Sequence, residues 1–401
     1  MNILYILSAT LEYGGATKSF VAMLKGLVRY GVTPIVVVPD CNGVCRTFNE
    51  MGIEYIVLPY RPNSYPPFRS IMDALLFLPR LIGRAALNYL AVRKLCAQIV
   101  AKRIDIIHTN VSIINIGMNV ASRLGIPHVY HFREYADLDF GYYYMPMKSF
   151  FHKKVRENCN YVVSITKAIN KHHGFIDYNR SYVIYNGICS KKSIIKREKV
   201  EDFFLYAGRL EPAKGLDELL LAYADYYKNC IRKIPLYIAG DSNKSEYKKR
   251  INNMIEELGI SDSIVQLGYV DDIGSYMRRA KATIVPSRSE AFGRCLPEAM
   301  FCQCLTIGKN TAGTKEQFDN GLSLTGDEIG LRYNSQTELT GCLLHVAEHY
   351  SDFASPMVER AFKTVCSLYS EESNVENINK LYNDILRDNK YKIICNNLYN
   401  N

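Results

Sequence analysis

The sequence contains no C-x-x-C pair among its twelve cysteines and no paired histidines at zinc spacing. It has no uninterrupted apolar run near the ~20 residues that a membrane-spanning helix needs. Neither G-x-G-x-x-G nor a Walker loop occurs. These absences argue against a zinc finger, a spanning helix and the usual nicotinamide-type dinucleotide site. With 25 glycines and 14 prolines in 401 residues, the chain is not collagen-like or low in complexity. The opening MNILYILSAT enters a strand-like run with no basic leader and no cleavage site, so no signal peptide is expected. Reduced thiols in a cytoplasmic protein are the simplest account of the scattered cysteines.

Apolar residues make up 48% of the chain and charged residues 22%, a composition that folds into a globular protein. The length predicts two or three domains. Charge is divided unevenly. Residues 1–200 carry 26 Lys/Arg against 12 Asp/Glu, a net of +14, whereas residues 201–401 carry 23 against 28, a net of −5. Halves of opposite sign predict two domains that meet different partners. A basic half suits nucleic acid, an anionic membrane surface or a phosphorylated small molecule. Nucleic acid is disfavoured, because the cations are spread along α/β elements with no helix-turn-helix, RRM or OB pattern. Between Arg69 and Arg103 lie seven basic residues (Arg69, Arg80, Arg84, Arg93, Lys94, Lys102, Arg103) and one acid, Asp73, with Leu, Ile, Phe and Ala between them. Such a segment reads equally as a helix lying on an anionic bilayer or as a long surface helix packed on the first domain.

Short apolar runs alternate with helical stretches along most of the chain. The runs are 2–8, 33–38, 54–58, 105–109, 127–130, 161–164 and 182–185, then 203–207, 235–239, 264–267, 283–286 and 305–307. Continuous rather than alternating hydrophobicity marks parallel strands buried on both faces. The repetition predicts βαβ units and an α/β fold of two doubly wound sheets. The polar, basic stretch 190–201 is the natural linker. The domains expected are 1–190, 191–370, and a terminal helix and tail over 371–401 that crosses back to the first domain. Ligands bind outside the carboxyl ends of strands in such sheets, and two facing sheets would enclose a cleft.

The candidate motifs follow strands. Gly14-Gly15, after the first run, lets backbone approach a ligand at a helix start. In Ala207-Gly208-Arg209-Leu210-Glu211-Pro212-Ala213-Lys214-Gly215, two cations five residues apart can clamp a diphosphate: Arg supplies a fork of donors, Lys a point charge. The segment from Glu290 to Glu298 places one carboxylate on a loop and another near a helix start, where each can accept hydrogen bonds from sugar hydroxyls. Phe292 and Gly293 add backbone donors between them. Asp137 and Asp139 have the spacing of a metal-binding pair but sit in a tyrosine-rich loop, so no metal is expected.

VIYNGI (183–188), AGRLEPAKG (207–215) and SEAFGRCLPEA (289–299), in this order and spacing, resemble family 4 glycosyltransferases of the GT-B fold, especially those of bacterial surface-polysaccharide assembly such as capsule and O-antigen. The resemblance covers nearly the whole chain. It implies two Rossmann-like domains facing a central cleft, with C-terminal helices, and a UDP- or GDP-linked sugar as donor. Arg209 and Lys214, with Gly14 and Gly15, would bind the donor diphosphate. Glu298 would hold the ribose, while Glu290, Phe292 and Gly293 would contact the sugar. Gly313 and Glu316, in AGTKE, match the family's loop near the phosphates, although Ala312 stands where a second glycine is usual. His131 would reach the sugar near the new bond as a histidine titrating near neutrality, and Glu134 and Arg133 are candidates on the acceptor side. The resemblance also implies retention of anomeric configuration, although no carboxylate nucleophile is identifiable, and closure of the domains over the donor. The acceptor would be a saccharide or a lipid-diphosphate-linked glycan, with the enzyme cytoplasmic and peripheral to the inner membrane face. A GT-B nucleotide-sugar epimerase is the alternative reading.

Overall fold

The computed structural model describes residues 1–10, 15–157, 160–197, 199–242 and 245–399, with side chains as far as residue 388. The chain forms two compact units. One comprises Met1–Gly187 together with Glu371–Asn401, and the other is Ile188–Ser370. No described helix is long and apolar enough to cross a membrane.

The first unit contains β1 (Asn2–Ile6), β2 (Thr33–Val38), β3 (Glu54–Val57), β4 (Ser64–Tyr65), β5 (Ile106–Thr109), β6 (His128–Phe132), β7 (Tyr143–Tyr144), β8 (Tyr161–Ser164) and β9 (Ser181–Val183). Seven of these form a sheet in the order β3-β2-β1-β5-β6-β8-β9, with every neighbouring pair parallel. The continuous hydrophobicity of β1 has a direct cause. Ile3 and Tyr5 point to one face, under Phe20 and Leu24 of the helix Gly15–Arg29 and Ile378 and Tyr382 of the helix Glu371–Tyr399. Leu4 and Ile6 point to the other, towards Val92, Leu95 and Ile99 of the helix Phe77–Ile99. Both faces are covered, so no polar alternation survives in the sequence. Where the first and last of these helices meet, Gly26 faces Val375, and a Cβ on Gly26 would come within 2.3 Å of a Val375 methyl group.

The second unit contains β10 (Phe204–Ala207), β11 (Leu236–Ala239), β12 (Ile264–Gly268), β13 (Ala282–Val285), β14 (Leu305–Lys309) and β15 (Leu331–Tyr333). They pair in parallel, in the order β12-β11-β10-β13-β14-β15. β15 and the antiparallel pair β4–β7 are not evident in the sequence, because two or three residues are too few to show a pattern.

The basic segment 69–103 is split in its behaviour. Ala91, Val92, Leu95 and Ile99 are buried against the sheet. The part before them is not. Ile71 is 83% exposed and Ile82 68%, and Leu75, Leu78 and Leu90 are also more than half exposed.

Candidate functional site

In the second unit, the loops after β10, β13 and β14 lie against one another. Gly215 ends the β10 loop in a left-handed conformation at φ 69°, where a Cβ would stand 2.0 Å from the Pro286 carbonyl oxygen; only glycine permits that approach. The Arg288 amide donates to the Ala213 carbonyl at 2.9 Å. The Gly313 amide donates to the Glu290 carbonyl at 2.9 Å. Gln317 donates through Nε2 to the carbonyls of Phe292, at 2.6 Å, and Gly293, at 3.1 Å. Gln317 therefore fixes the loop between the two acids, although its place within a helix gives no sequence signal. Ala312, where the family pattern has glycine, adopts a left-handed φ of 44°, so the glycine-type backbone is kept without the glycine.

The charged candidates fall into pairs. Lys214 Nζ lies 2.6 Å from Glu290 Oε1, with both side chains mostly buried. The family resemblance implies phosphate for one and sugar for the other, and the ion pair holds both side chains in place. Glu298, in the first turn of the helix Cys295–Phe301, is 3.1 Å from Arg294 one turn earlier. Arg209 reaches Glu211 at 3.1 Å but its side chain is 72% exposed. Glu316 lies in the first turn and a half of the helix Ala312–Thr325, and Gly313 is its second residue.

In the first unit, His131 lies in β6 and is fully buried. Burial, and then the nearby positive charge of Arg133, hold its pKa well below the ordinary 6.5. The neutral titration expected from sequence is thereby corrected: the imidazole is uncharged across the physiological range. Its Nδ1 is 3.1 Å from Nε2 of His108, and Nδ1 of His108 is 2.6 Å from the Tyr382 hydroxyl. Arg133, which can only donate, approaches the same Nδ1 at 3.4 Å. That geometry assigns the ring proton of His131 to Nε2, a buried nitrogen with no hydrogen-bond partner. Arg133 is itself held by Asn110 at 2.9 Å and Asn186 at 2.6 Å.

Glu134 is buried and accepts from both the amide and the hydroxyl of Ser112, each at 2.7 Å. Desolvation outweighs these bonds and raises its pKa to about 7. His108 and Tyr382 escape sequence reasoning, one because it sits inside an apolar strand and the other because it lies 274 residues away. Gly15 opens the helix Gly15–Arg29, while Gly14 falls outside the described residues. Asp137 bonds Lys148 and His172, both at 2.7 Å, and Asp139 accepts from the Tyr135 amide.

Two parallel-sheet units, with a cation–carboxylate cluster at the strand ends of the second, place the protein in the GT-B fold class. The family model described as Glycosyltransferase Family 4 matches residues 13–191, and that described as Glycosyl transferases group 1 matches residues 190–326. The chain belongs to the family 4 glycosyltransferases and is a sugar-transferring enzyme. It is 27% identical over 275 residues to an uncharacterised glycosyltransferase of Methanocaldococcus jannaschii, covering 66% of this chain and 72% of that one. It is 25% identical to N-acetyl-alpha-D-glucosaminyl L-malate synthase of Bacillus anthracis, covering 58% and 62%. The serotype-specific mannosyltransferase WbdA of Escherichia coli matches at 27% identity over 39% of this chain, but over only 18% of its own length. Among solved structures, HepE of Anabaena in complex with UDP shares the fold at a TM-score of 0.72 and 19% identity, covering 96% of this chain and all of that one.

Proposed function

We propose that the enzyme transfers a sugar from a UDP- or GDP-linked donor, bound by the second unit, to an acceptor hydroxyl, in polysaccharide or glycolipid assembly. The observation that carries this reading is the cluster after β10, β13 and β14. There, Arg209, Lys214, Glu290, Arg294 and Glu298 stand at the strand ends where α/β sheets take nucleotides. Complexes of HepE with UDP and UDP-glucose support a donor of this class, and a 26% identity over 41% of this chain to the O-antigen biosynthesis glycosyltransferase WclY of Escherichia coli supports a role in polysaccharide assembly. In the step itself, the bond from the anomeric carbon to phosphate breaks and one to the acceptor oxygen forms. The hydroxyl proton passes to the departing nucleoside diphosphate. Lys214 and Arg209 would stabilise the charge that develops on that diphosphate. Glu298 would hold the ribose, Glu290 the sugar, and Nε2–H of His131 would donate to the transferred sugar. We propose retention of configuration, no metal requirement, and a cytoplasmic enzyme peripheral to the inner membrane face.

Arg209→Ala and Glu298→Ala should each lower kcat/KM with the true donor by about 10²–10³ and leave the unfolding temperature unchanged. Wild-type turnover in both variants would refute the site. A thermal-shift screen of UDP- and GDP-linked sugars identifies the donor.

A further inference from the structure

Two cavities lie side by side in the first unit. One, of about 510 Å³, is lined by Arg84, Arg123, Lys154, Asn63, Ser64 and Asn115 among others, with no Asp or Glu in its wall. The second, of about 600 Å³, is walled mainly by aromatic and sulfur-containing side chains, among them Phe68, Phe77, Tyr143, Tyr144 and Met147, and its charged members, Asp137 and Lys148, neutralise each other as an ion pair at 2.7 Å. Tyr65 and Met145 belong to both walls.

The cationic cavity is uncompensated. Among the described residues, none of its three cations has a carboxylate within ion-pairing distance. Arg84 donates to the Ser64 carbonyl and lies 4.4 Å over the Tyr65 ring, and Arg123 lies over Tyr89. In the second unit, by contrast, Arg288 is paired with Asp217 and Lys309 with Glu218. The Ser64 hydroxyl is buried in the same wall without a hydrogen-bond partner, as are the side-chain oxygens of Asn63 and Asn115. Unpaired buried polar groups cost stability, and a phosphate accepting from the Ser64 hydroxyl would relieve that cost, with the half-buried Arg84 and the exposed Arg123 and Lys154 free to turn towards its charge. The apolar cavity draws Ala74 and Phe77 from the helices that carry the exposed Ile71, Leu75 and Ile82. It also connects to the candidate acceptor side, because the Tyr144 hydroxyl is 2.7 Å from Ser112 Oγ, which bonds Glu134.

We propose that the two cavities form one amphiphile site, holding the phosphate of a lipid-linked acceptor in the cationic half and the start of its hydrocarbon chain against the aromatic half. The proposal rests on the reading of the enzyme as a glycosyltransferase of polysaccharide or glycolipid assembly, and it names the acceptor class. A free phosphate would use only the first cavity and leave the aromatic wall and the exposed apolar helices without a role.

Because the chain has no tryptophan, Tyr143→Trp, at a position 58% exposed, gives a single emitter in the apolar cavity. Farnesyl diphosphate, kept below its micelle concentration, should shift its emission to the blue saturably. It should bind at least tenfold more tightly than farnesol or inorganic pyrophosphate. Adding Arg84→Gln, Arg123→Gln and Lys154→Gln should weaken binding at least tenfold while leaving the thermal shift with UDP or GDP unchanged. That nucleotide shift tests the donor reading separately, so failure of one does not entail failure of the other. Pyrophosphate matching farnesyl diphosphate would overturn the proposal in favour of a free-anion site, and farnesol matching it would leave only a greasy pocket. Unaltered affinity in the neutralised variant would also overturn it. So would light scattering that shows a dimer, with a lipid-independent blue-shifted emission, since the apolar face would then belong to a second copy.

Discussion

At His131 and Glu134, three residues apart, burial acts on two ionisable groups with opposite results. Both lose their charged form, so the histidine becomes a weaker base and the glutamate a weaker acid. For Glu134 the pKa rises from the ordinary 4.5 to about 7. The native state therefore binds more protons than the unfolded chain between these values, and stability falls as pH rises through that window. The full difference is worth about 3 kcal/mol. Glu134→Gln removes it. Urea midpoints at pH 5 and pH 8 should show the variant gaining on the wild type at the higher pH, and a difference independent of pH would contradict the assignment. Little of this was legible. The sequence places His131 and Glu134 after a strand, but the partners that set their protonation, His108 and Ser112, are supplied by tertiary contacts across the sheet. Likewise, Lys214 and Glu290, 76 positions apart, give no sign in sequence that they form a pair.

Among elements, the legible ones are strands such as β1, whose two buried faces leave an unbroken apolar run. β15 and the β4–β7 pair, at two or three residues, carry too few side chains to register. Legibility fails differently for the helices Ile71–Leu75 and Phe77–Ile99, where composition alone allows either packing or membrane contact. The answer differs along the segment. Ala91, Val92, Leu95 and Ile99 pack on the sheet, and Ile71, Leu75, Leu78, Ile82 and Leu90 before them face outwards. We propose that part as a membrane contact: burying such a face would gain about 25 cal/mol per Å², and each flanking cation about 1 kcal/mol near an anionic surface. Vesicles containing anionic lipid should sediment the wild-type protein. A variant carrying Ile71→Gln, Leu75→Gln, Leu78→Gln and Ile82→Gln should stay in the supernatant with its unfolding temperature unchanged. Co-sedimentation of that variant would refute the contact.

Over the whole molecule, histidines are unevenly shared. Six of the eight, His108, His128, His131, His152, His172 and His173, lie in the first unit, and only His345 and His349 in the second. Burial is the main cause that lowers five of the six: His128 and His152 to about 4, His173 to about 3, and His108 and His131 well below 6.5. A lowered folded pKa means that the native state binds fewer protons than the unfolded chain. Stability is therefore lost as pH falls from 6.5 towards 3. Five such groups outweigh the single opposing effect of Glu134. Acidification should unfold the first unit before the second, seen by hydrogen exchange as loss of protection in β5, β6 and β8 while β10 and β13 stay protected. Simultaneous loss in both units would contradict this.

The helix Glu371–Tyr399 packs in the first unit and delivers the Tyr382 hydroxyl to His108. During synthesis, the whole of the second unit therefore leaves the ribosome before the first can be finished. Since domains fold as units once their sequence is available, the second unit can be complete on a nascent chain whose His131 still lacks the support of its neighbour. A chain cut short within the helix Glu371–Tyr399 would keep the second unit whole while losing the Tyr382 contact that supports His108 and, through it, His131.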